Sequence, residues 1–456
     1  MTGIERLLLW VDDRLGTAHF VRHALRKAFP DHWSFMLGEI NLYAFGVLVA
    51  TGTFLAFFFD PDASKLSYHG PYVLLDGVQM SRAYASALAL SFQVNAGLLV
   101  RQIHHWAALV FVAGIALHLA RIFFTGAFRK PREINWVIGL LLFWLALFAG
   151  FTGYSLPDDL LSGIGLRIAD SVLLSVPVVG TWLSFLLLGG IYPAERLMPR
   201  LFVTHVYLVP ALIAALIALH LAIVWRQKHA QFPGPGRTEH NVVGSPLVPR
   251  YAAKSIALLF AVVAVLAGLG ALVQINPIWL WGPYDAWSGV SPAQPDWYIG
   301  WLEGALRMGP AWAVHLWGHT IPSPFWPAVL LPAVLFILLM LWPWIDAAVR
   351  HDRHSHQLLE NPRDVPWRTA LGVAVFLFAL GLTLAGSDDV QARYVHLPIT
   401  TITNFYRFFS ICAPLAGFAI TYAFAAELRA RGGVRKAPRT RLRRNARGGF
   451  EEEPLP

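Results

Sequence analysis

The sequence predicts an all-α membrane protein with eight transmembrane helices. Of its 456 residues, 56% are hydrophobic and only 14% are charged, whereas soluble domains carry about 25% charged residues. So few charges cannot cover the surface of a water-soluble globule of this length. The second observation is that eight apolar stretches reach the ~20 residues that a helix needs to cross the hydrocarbon core. Their approximate limits are 41–60, 102–121, 136–155, 202–225, 255–275, 325–345, 367–386 and 401–426.

The positive charges predict how these helices are oriented. The net charge is +9, with 36 Lys and Arg against 27 Asp and Glu. If both termini are cytoplasmic, the inner segments hold 27 of the 36 basic residues and the outer segments hold nine. Because cytoplasmic loops are enriched in Lys and Arg, we expect this orientation. The basic tail is expected to be disordered and attracted to anionic lipid, an interpretation favoured over nucleic-acid binding.

The apolar pattern also predicts how the chain is divided. An amphipathic surface helix is expected over 5–28, and two broken apolar segments, 171–190 and 297–319, are expected to lie on the membrane surface. The predicted parts are an N-terminal cytoplasmic segment, a four-helix bundle, a C-terminal four-helix domain and a basic cytoplasmic tail, with limits 1–40, 41–230, 231–427 and 428–456.

The second and fourth spans each carry two histidines at almost the same spacing. His104 and His118 are 14 residues apart, and His205 and His220 are 15 apart. Both separations are close to four helical turns, so each pair lies roughly on one face of its helix. The two spans run in the same direction, because one span separates them. We therefore expect His104 level with His205 near the outer face, and His118 level with His220 near the inner face.

Two facing histidine pairs predict two haem groups held by axial imidazoles. Cys412 is the only cysteine, so disulfides, Cys-ligated iron–sulfur clusters and thioether-linked haem are excluded. The haems are therefore expected to be non-covalent, with their irons roughly 20 Å apart by helical rise. A hydrogen-bonded structural role is the alternative for any single histidine in a membrane. His105 has no histidine partner at matching depth and is expected to be structural.

Arginines and glycines near these histidines fit the same interpretation. Arg101, Arg121 and Arg200 lie at membrane boundaries, where their guanidinium groups are expected to pair with haem propionates. Snorkelling anchors are the alternative for each of them. Gly139 and Gly153 in the third span are 14 residues apart, so a flat macrocycle can approach the backbone at both depths. Helix packing through small residues explains that spacing equally well.

With these motifs the sequence resembles cytochrome b, the core subunit of respiratory cytochrome bc complexes. The resemblance runs from about residue 30 to residue 427 and includes the histidine pairs, their arginines and a Pro-Asp-Trp-Tyr loop. The family usually has Glu where this chain has Asp296. The segments that match the actinobacterial type closely are 101–109, 153–163 and 231–244.

The resemblance implies a quinol-oxidising, proton-translocating reductase of the bacterial plasma membrane. One electron from quinol, expected to be menaquinol, would go to a Rieske iron–sulfur protein and a cytochrome c-type subunit. The other would cross through the outer haem (His104, His205) and the inner haem (His118, His220) to a quinone near the inner face. The family further implies a homodimeric complex joined to a cytochrome aa-type oxidase.

The outer quinol site is expected to include the Pro-Asp-Trp-Tyr loop. Asp296 is the candidate proton acceptor, because partial burial raises a carboxyl pKa toward a useful range. Tyr298 is expected to donate a hydrogen bond to the quinone oxygen, and Tyr154 to line the pocket. The structural alternatives are a helix N-cap for Asp296 and membrane-interface roles for both tyrosines.

The inner quinone site departs from the family pattern. Many relatives have an acidic residue at the start of the fifth span and a histidine shortly after the fourth. This chain has Ser255 and Trp225 at those positions. Lys254 and His229 are the substitutes that we expect to deliver protons.

Two other functions fit part of the pattern. A dihaem anchor of a dehydrogenase or hydrogenase also uses paired histidines, but it usually has four or five spans and lacks the Pro-Asp-Trp-Tyr loop. A secondary transporter with histidine proton relays would be expected to show inverted repeats and acidic residues inside its spans, which the sequence does not. Cytochrome b is therefore the favoured prediction.

Overall fold

The eight predicted spans are present in the structure, a computed structural model that describes residues 2–18, 25–287, 294–432, 440–444 and 450–454. Within these residues, eight helices are long and apolar enough to cross a membrane. We number them spans 1 to 8 in chain order: Trp33–Ala56, Gly97–Phe124, Glu133–Ser155, Leu197–Gln227, Leu247–Leu272, Trp326–Arg350, Pro366–Ala385 and Ile399–Arg431.

The largest differences from the predicted limits are at the starts of spans 1 and 5. Span 1 begins at Trp33 and span 5 at Leu247, each eight residues before the predicted start. The residues added to span 1 include the acidic Glu39. In the structure, hydroxyl groups of span 5 donate hydrogen bonds to that carboxylate. Glu39 is therefore satisfied by protein and does not end the helix.

Spans 1 to 4 form a bundle in which each helix contacts the next and span 4 returns to span 1. Span 5 packs on spans 1 and 2, span 6 on span 3, and span 7 on span 8. The centre of the bundle is filled by a buried apolar cluster: Ala44, Phe111, Val112, Ile115, Ile138, Leu142, Ala146, Leu147, Val209, Ile213 and Tyr298.

Six shorter α-helices connect the spans within the described residues. All of them follow odd-numbered spans and therefore belong to the same side of the membrane, the predicted outer side. Their bounds are Arg82–Phe92, Leu160–Leu174, Gly180–Leu188, Ile278–Trp281, Trp297–Met308 and Asp388–Val395. The antiparallel strand pairs in the described chain are Ala28–Phe29 with Ser245–Pro246, Lys65–Ser67 with Gln79–Ser81, Val314–Leu316 with His319–Ile321, and Thr440–Arg444 with Phe450–Pro454.

Neither broken apolar segment forms a span, as predicted, and neither is one continuous helix. Segment 171–190 contains the end of one helix and all of another, separated by a turn at Pro177. In segment 297–319 the helix ends at Met308, and a β-hairpin follows it. Trp317 and Gly318 at the hairpin tip both have positive φ, at 50° and 76°, as the tight turns that match strand twist require.

The N-terminal amphipathic helix is shorter than predicted. It spans Gly3–Leu15, and a reciprocal capping box joins Thr2 and Glu5 at its start. It ends at Gly16, whose φ of 61° is in the left-handed region that favours glycine. The predicted extension toward residue 28 passes through 19–24, which lie outside the described residues.

The C-terminal tail contains strands where disorder was predicted. The two C-terminal strands form an antiparallel hairpin after span 8. Its register sets Arg441 opposite Glu453 and Arg443 opposite Glu451. The prediction considered only the basic half of this segment.

Candidate functional site

The four histidines of spans 2 and 4 meet in two pairs. The ring centroids of His104 and His205 are 6.2 Å apart, and those of His118 and His220 are 6.5 Å apart. A first-row metal bonded to one nitrogen of each ring at about 2.0 Å would set the two centroids about 6 Å apart. The geometry of both pairs therefore fits a metal held between two imidazoles.

A local irregularity in span 4 explains why its two histidines are 15 residues apart and those of span 2 only 14. Thr204–Leu208, which includes His205, forms a π-helical turn. Such a turn inserts one extra residue into an α-helix. The extra residue is thus absorbed, and the two spans present their histidines at matching depths.

Hydrogen bonds at Nδ1 orient the outer pair of rings. The Nδ1 of His104 lies 2.9 Å from the hydroxyl of Thr51 in span 1. The Nδ1 of His205 lies 3.0 Å from the carbonyl oxygen of Ala149 in span 3. In metal-bound histidines, a hydrogen bond at one ring nitrogen fixes the orientation of the other. These contacts leave Nε2 of each ring for a ligand.

Two glycines allow the outer rings to lie directly against neighbouring helices. A Cβ atom on Gly153 would be 2.4 Å from Cε1 of His205, which is closer than real Cβ contacts occur. A Cβ atom on Gly52 of span 1 would be 3.1 Å from Cε1 of His104. The outer pair is therefore held between two glycine surfaces, one of which, on Gly52, was not predicted.

The inner pair uses a different glycine from the one predicted. A Cβ atom on Gly38 would be 3.5 Å from Cε1 of His118, whereas one on Gly139 would meet the side chain of Leu119 at 3.6 Å. Gly139 thus lies against an apolar side chain, not against a histidine. The 14-residue spacing of Gly38 and Gly52 in span 1 is the signal that the sequence interpretation missed.

Two of the three predicted arginines are half-buried near the pairs and have buried donors that are not used. Both Nη atoms of Arg101 donate to the carbonyl oxygen of Asn276 at 3.3 Å. Its Nε, and the Nε and Nη2 of Arg121, are buried and have no hydrogen-bond partner among the described residues. The Arg121 guanidinium also lies 4.3 Å above the ring of Phe35. Buried guanidinium donors of this kind suit a carboxylate ligand.

Arg200 is positioned differently from the prediction. Its side chain is exposed and donates to the carbonyl oxygen of Leu186. That carbonyl lies at the C-terminal end of the helix Gly180–Leu188, where free carbonyls and the helix dipole attract a cation. Arg200 therefore interacts with a helix end and does not line the space beside His205.

A cavity of about 260 Å³ adjoins the outer histidine pair. Its walls come from spans 1 to 4, from Asn276 and from the start of the helix Trp297–Met308. The lining residues with polar groups or close backbone are Gly52, Arg101, His104, His105, Gly153, Tyr154, His205, Asn276, Asp296 and Tyr298. The predicted residues of the outer quinol site and of the outer metal site thus share one cavity.

Asp296 is the centre of the hydrogen bonds in this cavity. Each of its carboxylate oxygens lies 2.9 Å from Nε2 of His105, and the hydroxyl of Tyr298 donates to Oδ2 at 3.0 Å. Burial and the Asp296 carboxylate raise the pKa of the Tyr298 hydroxyl well above its ordinary value. The hydroxyl of Tyr154 donates to the carbonyl oxygen of Gln294 at 3.2 Å.

The structural alternatives for Asp296 and Tyr298 do not match this geometry. Asp296 occupies the N-cap position of its helix, but its side chain makes no capping hydrogen bond. Tyr298 is only 3% exposed, so it is a buried residue and not part of an interfacial belt. His105, expected to be structural, is bonded to a carboxylate 191 residues away. Nothing local in the sequence indicates that pairing.

At the inner face, the predicted proton-delivering residues are engaged with other groups. Lys254 pairs with Asp31 at 2.7 Å. Burial, together with the positive charges of Lys27, Arg132 and Arg121, lowers the pKa of His229 to about 4. His229 is therefore neutral at pH 7 and is a poor proton donor there.

A carboxylate that the sequence interpretation missed lies beside Ser255. The Ser255 hydroxyl donates to Oε2 of Glu39 at 2.6 Å, and the hydroxyls of Tyr43 and Tyr251 also donate to this carboxylate. Many relatives have an acid at the position of Ser255, and here span 1 supplies one next to it. The available signal was an acidic residue at the start of an apolar helix.

Comparisons with known proteins agree with this arrangement. Residues 109–283 match the family described as cytochrome b (N-terminal)/b6/petB. The cytochrome bc1 complex cytochrome b subunit of Mycobacterium leprae (strain TN) is 52% identical over 413 residues, 90% of this chain and 75% of the relative. The subunit of that name from Streptomyces coelicolor (strain ATCC BAA-471 / A3(2) / M145) is 47% identical over 418 residues, 91% of this chain and 76% of the relative.

A solved structure shares the fold. A chain of a hyperthermophilic respiratory Complex III aligns with a TM-score of 0.69 at 20% identity, over 92% of this chain and 98% of that chain. The eight spans, the paired histidines and the length of the sequence match lead to one assignment. The chain belongs to the cytochrome b subunits of cytochrome bc1 complexes, multi-subunit oxidoreductases of respiratory electron transport.

Proposed function

We propose that this subunit oxidises quinol, specifically menaquinol, in the outer cavity and conducts one of the two electrons across the membrane to a quinone at the inner face. The observation that carries the proposal is the pair of facing imidazole sites on spans 2 and 4, one of which adjoins the cavity of Asp296 and Tyr298. Two non-covalent haem b groups, when bound, supply one-electron redox chemistry at these sites.

The residues around the outer pair fit such a group. His104 and His205 offer imidazole nitrogens at a separation suited to axial ligation. Gly52 and Gly153 leave the rings in close contact with the backbone. Arg101 retains a buried Nε donor for a propionate. We assign the inner group to His118 and His220, with Arg121 as the corresponding donor.

In the outer cavity, Asp296 accepts a proton from the quinol hydroxyl. A carboxylate within hydrogen-bond reach of the proton is the requirement for a general base, and His105 holds this carboxylate from the side of span 2. In the structure Tyr298 donates a hydrogen bond to the Asp296 carboxylate. With quinone bound, Tyr298 donates to the quinone oxygen. Tyr154 closes the cavity beside them.

The inner quinone site is assigned to the region of Lys254 and His229. Glu39 with its hydroxyl partners, and the ion pair of Lys254 with Asp31, supply the polar groups of this region. Because the pKa of His229 is lowered to about 4, its imidazole stays neutral at pH 7 and offers the quinone a hydrogen bond there.

The remaining parts of the proposal follow from the family. The other electron leaves to a Rieske iron–sulfur subunit and then to a cytochrome c-type subunit. The complex is a homodimer in the bacterial plasma membrane, joined to a cytochrome aa-type oxidase. Both termini are cytoplasmic, as the distribution of 27 inner and nine outer basic residues favours.

The test is optical spectroscopy of the purified complex with quinol as reductant. His104→Ala and His205→Ala are each expected to remove the lower-potential haem and leave the other, and His118→Ala the reverse. Potentiometric titration of the reduced-minus-oxidised bands identifies which group is lost.

His315→Ala, in an exposed hairpin, is the matched control and should keep both haems. Loss of both haems from every single variant, or of neither, would refute the pairing. A wild-type complex without quinol-dependent reduction would refute the function.

A further inference from the structure

Two consecutive carboxylates, Asp158 and Asp159, are buried just beyond the outer end of span 3. Asp158 is 7% exposed and Asp159 is fully buried. Pro157, which immediately precedes them, and Tyr154 both line the outer cavity. Burying a carboxylate without a cationic partner is costly, and none of the salt bridges in the described residues involves either of them. The proposed mechanism gives them no role so far.

One oxygen of Asp159 has no hydrogen-bond partner in the described part of the chain. Its Oδ2 accepts from the backbone N–H of Leu161 at 3.2 Å and caps the helix Leu160–Leu174. Its Oδ1 is buried and unpartnered. Arg101, a cavity residue with its own unpartnered Nε, interacts electrostatically with this carboxylate. Buried polar atoms left over by the protein are usually satisfied by ordered water, so a water between cavity and carboxylate is expected.

The groups around the two carboxylates differ on their two sides. Arg101 and Tyr154, which line the cavity, face Asp159 on one side, and the buried Tyr84 also faces it. The groups that face Asp158 are Ser81, which hydrogen-bonds to it, the exposed Lys65 and Tyr192. Ser81 and Lys65 belong to a hairpin on the predicted outer side. The pair thus extends from the cavity toward the outer surface.

Both carboxyls titrate in a range useful for passing protons. Burial raises the pKa of Asp158 to about 6, against the hydrogen bond from Ser81. Burial also raises the pKa of Asp159 to about 6, against hydrogen bonds from Ser162 and Leu161. Above pH 6 the pair is therefore ready to accept protons, and as the pH falls through 6 it fills and loses that capacity.

We propose that Asp159 and then Asp158 carry the protons of quinol oxidation from the outer cavity to the outer surface. The inference rests on the proposed oxidation of quinol in that cavity. Each quinol loses two electrons, which leave by the two routes given above, and two protons. Each proton passes from the quinol hydroxyl to Asp296, then through the expected water to Asp159, on to Asp158 and finally to water outside. All three carboxylates then return to their ionised form.

Asparagine substitution separates this role from a structural one. Asn caps helices about as well as Asp, so Asp159→Asn retains the hydrogen bond to Leu161 and the helix that follows. Asp158→Asn likewise keeps a hydrogen-bonding partner for Ser81. The variants lose only the ability to bind and release a proton.

The experiment measures quinol oxidation by the purified complex from pH 5 to pH 9 for both single variants and the double variant. Turnover is expected to fall about tenfold or more, and the decline on the acid side near pH 6 should disappear. Haem spectra should be unchanged. Asp285→Asn, an exposed outer carboxylate bonded to the N–H of Trp287, is the matched control and should keep wild-type turnover.

The possible outcomes are distinct. If the variants keep wild-type turnover and the same decline near pH 6, the proton path through Asp159 and Asp158 is overturned. The proposed function is left intact. Variants that are slower but keep the decline near pH 6 also overturn the proton path, because that result indicates a structural role for the two carboxylates. A wild-type complex that oxidises no quinol overturns the function and the proton path together.

Discussion

Asp296 shows how the partners of one side chain distinguish catalysis from capping. An Asp at the first position of a helix normally accepts a hydrogen bond from the following turn, and losing that cap costs about 1 kcal/mol. Here the carboxylate turns away from its own helix toward His105 and Tyr298. Asp296 makes hydrogen bonds inside the cavity and no capping hydrogen bond. This arrangement is expected of a proton acceptor.

Asp296→Asn is therefore expected to slow quinol oxidation by about 100-fold or more, the usual contribution of a general base. The amide still hydrogen-bonds to His105 and Tyr298 but cannot take a proton. Steady-state turnover with the haem spectrum as a folding check is the measurement.

Asp296→Glu retains the carboxylate, as in the usual family signature, and should recover most of the rate. Equal rates for the Asn and wild-type proteins would remove Asp296 from the mechanism.

At this scale the sequence predicts residues whose spacing is local and misses those whose partners are distant. The four paired histidines follow from helical periodicity within two spans. The contact of His105 with Asp296 joins residues 191 apart, and that of Ser255 with Glu39 joins residues 216 apart. Such pairs depend on how spans pack, which a single sequence does not encode in any local pattern.

At the scale of elements, span 3 contributes two glycines whose missing side chains leave room for the outer site. Gly150 lies against the Tyr298 ring, where a Cβ atom would be 2.5 Å from the tyrosine oxygen, and Gly153 lies against His205. These two glycines are nearly one helical turn apart, so one strip of bare backbone supports both the cavity and the histidine pair. A side chain of any size at Gly150 would displace Tyr298, and one at Gly153 would displace His205.

Gly153→Ala is expected to lower occupancy of the outer haem and leave the inner haem in place. The added methyl group overlaps the His205 ring, and overpacking of this kind costs about 1–3 kcal/mol. Haem content per chain and the potential of each haem are the measurements.

Gly46→Ala in span 1 is the control, because a Cβ atom there has nothing within 4 Å. Equal loss of both haems in Gly153→Ala would indicate general misfolding instead.

The existence of the eight spans could be predicted from the sequence, but the residues at which they begin and end could not. Apolar length alone predicted eight spans, because any such stretch must form a helix in a membrane. Spans 1 and 5 each begin eight residues before the predicted start. The part added to span 1 contains Glu39, whose carboxylate is satisfied by hydroxyls of span 5. The hairpin within 297–319 was missed because apolar composition at a membrane surface does not distinguish a helix from a short strand pair.

For the whole molecule, a buried charge cluster joins the two halves of the chain at the inner face. Glu360 binds Arg350 at 2.6 Å and Arg368 at 2.7 Å, and Arg129 lies 3.1 Å away. Arg129 follows span 2, whereas the other two belong to spans 6 and 7. Burial acts to raise the pKa of Glu360, but these arginines outweigh it and hold the pKa below its ordinary value.

Glu360→Gln is expected to destabilise the protein by about 3 kcal/mol or more. Arg129 loses its carboxylate partner at 3.1 Å, and Arg350 and Arg368 keep the longer contacts with Asp346, at 3.5 and 3.9 Å. Thermal unfolding of the detergent-solubilised complex should show a lower Tm. The stabilisation by Glu360 is present above its unfolded pKa of 4.5 and is lost as the pH falls through the lower folded value.

The Tm difference between variant and wild type should therefore shrink in acid. Glu427→Gln, which removes an exposed pair with Arg431, is the control and should change little. An equal Tm for Glu360→Gln and wild type at pH 7 would show that the cluster does not hold the halves together.

The π-helical turn in span 4 helps to set the distance between the two histidine pairs. Fourteen residues of α-helix rise about 21 Å, and the single extra residue at Thr204–Leu208 brings the second helix to the same length. The distance between the two histidine pairs is thus set by the number of helical residues and not by any connecting loop. A change in the length of a loop would leave that distance unchanged.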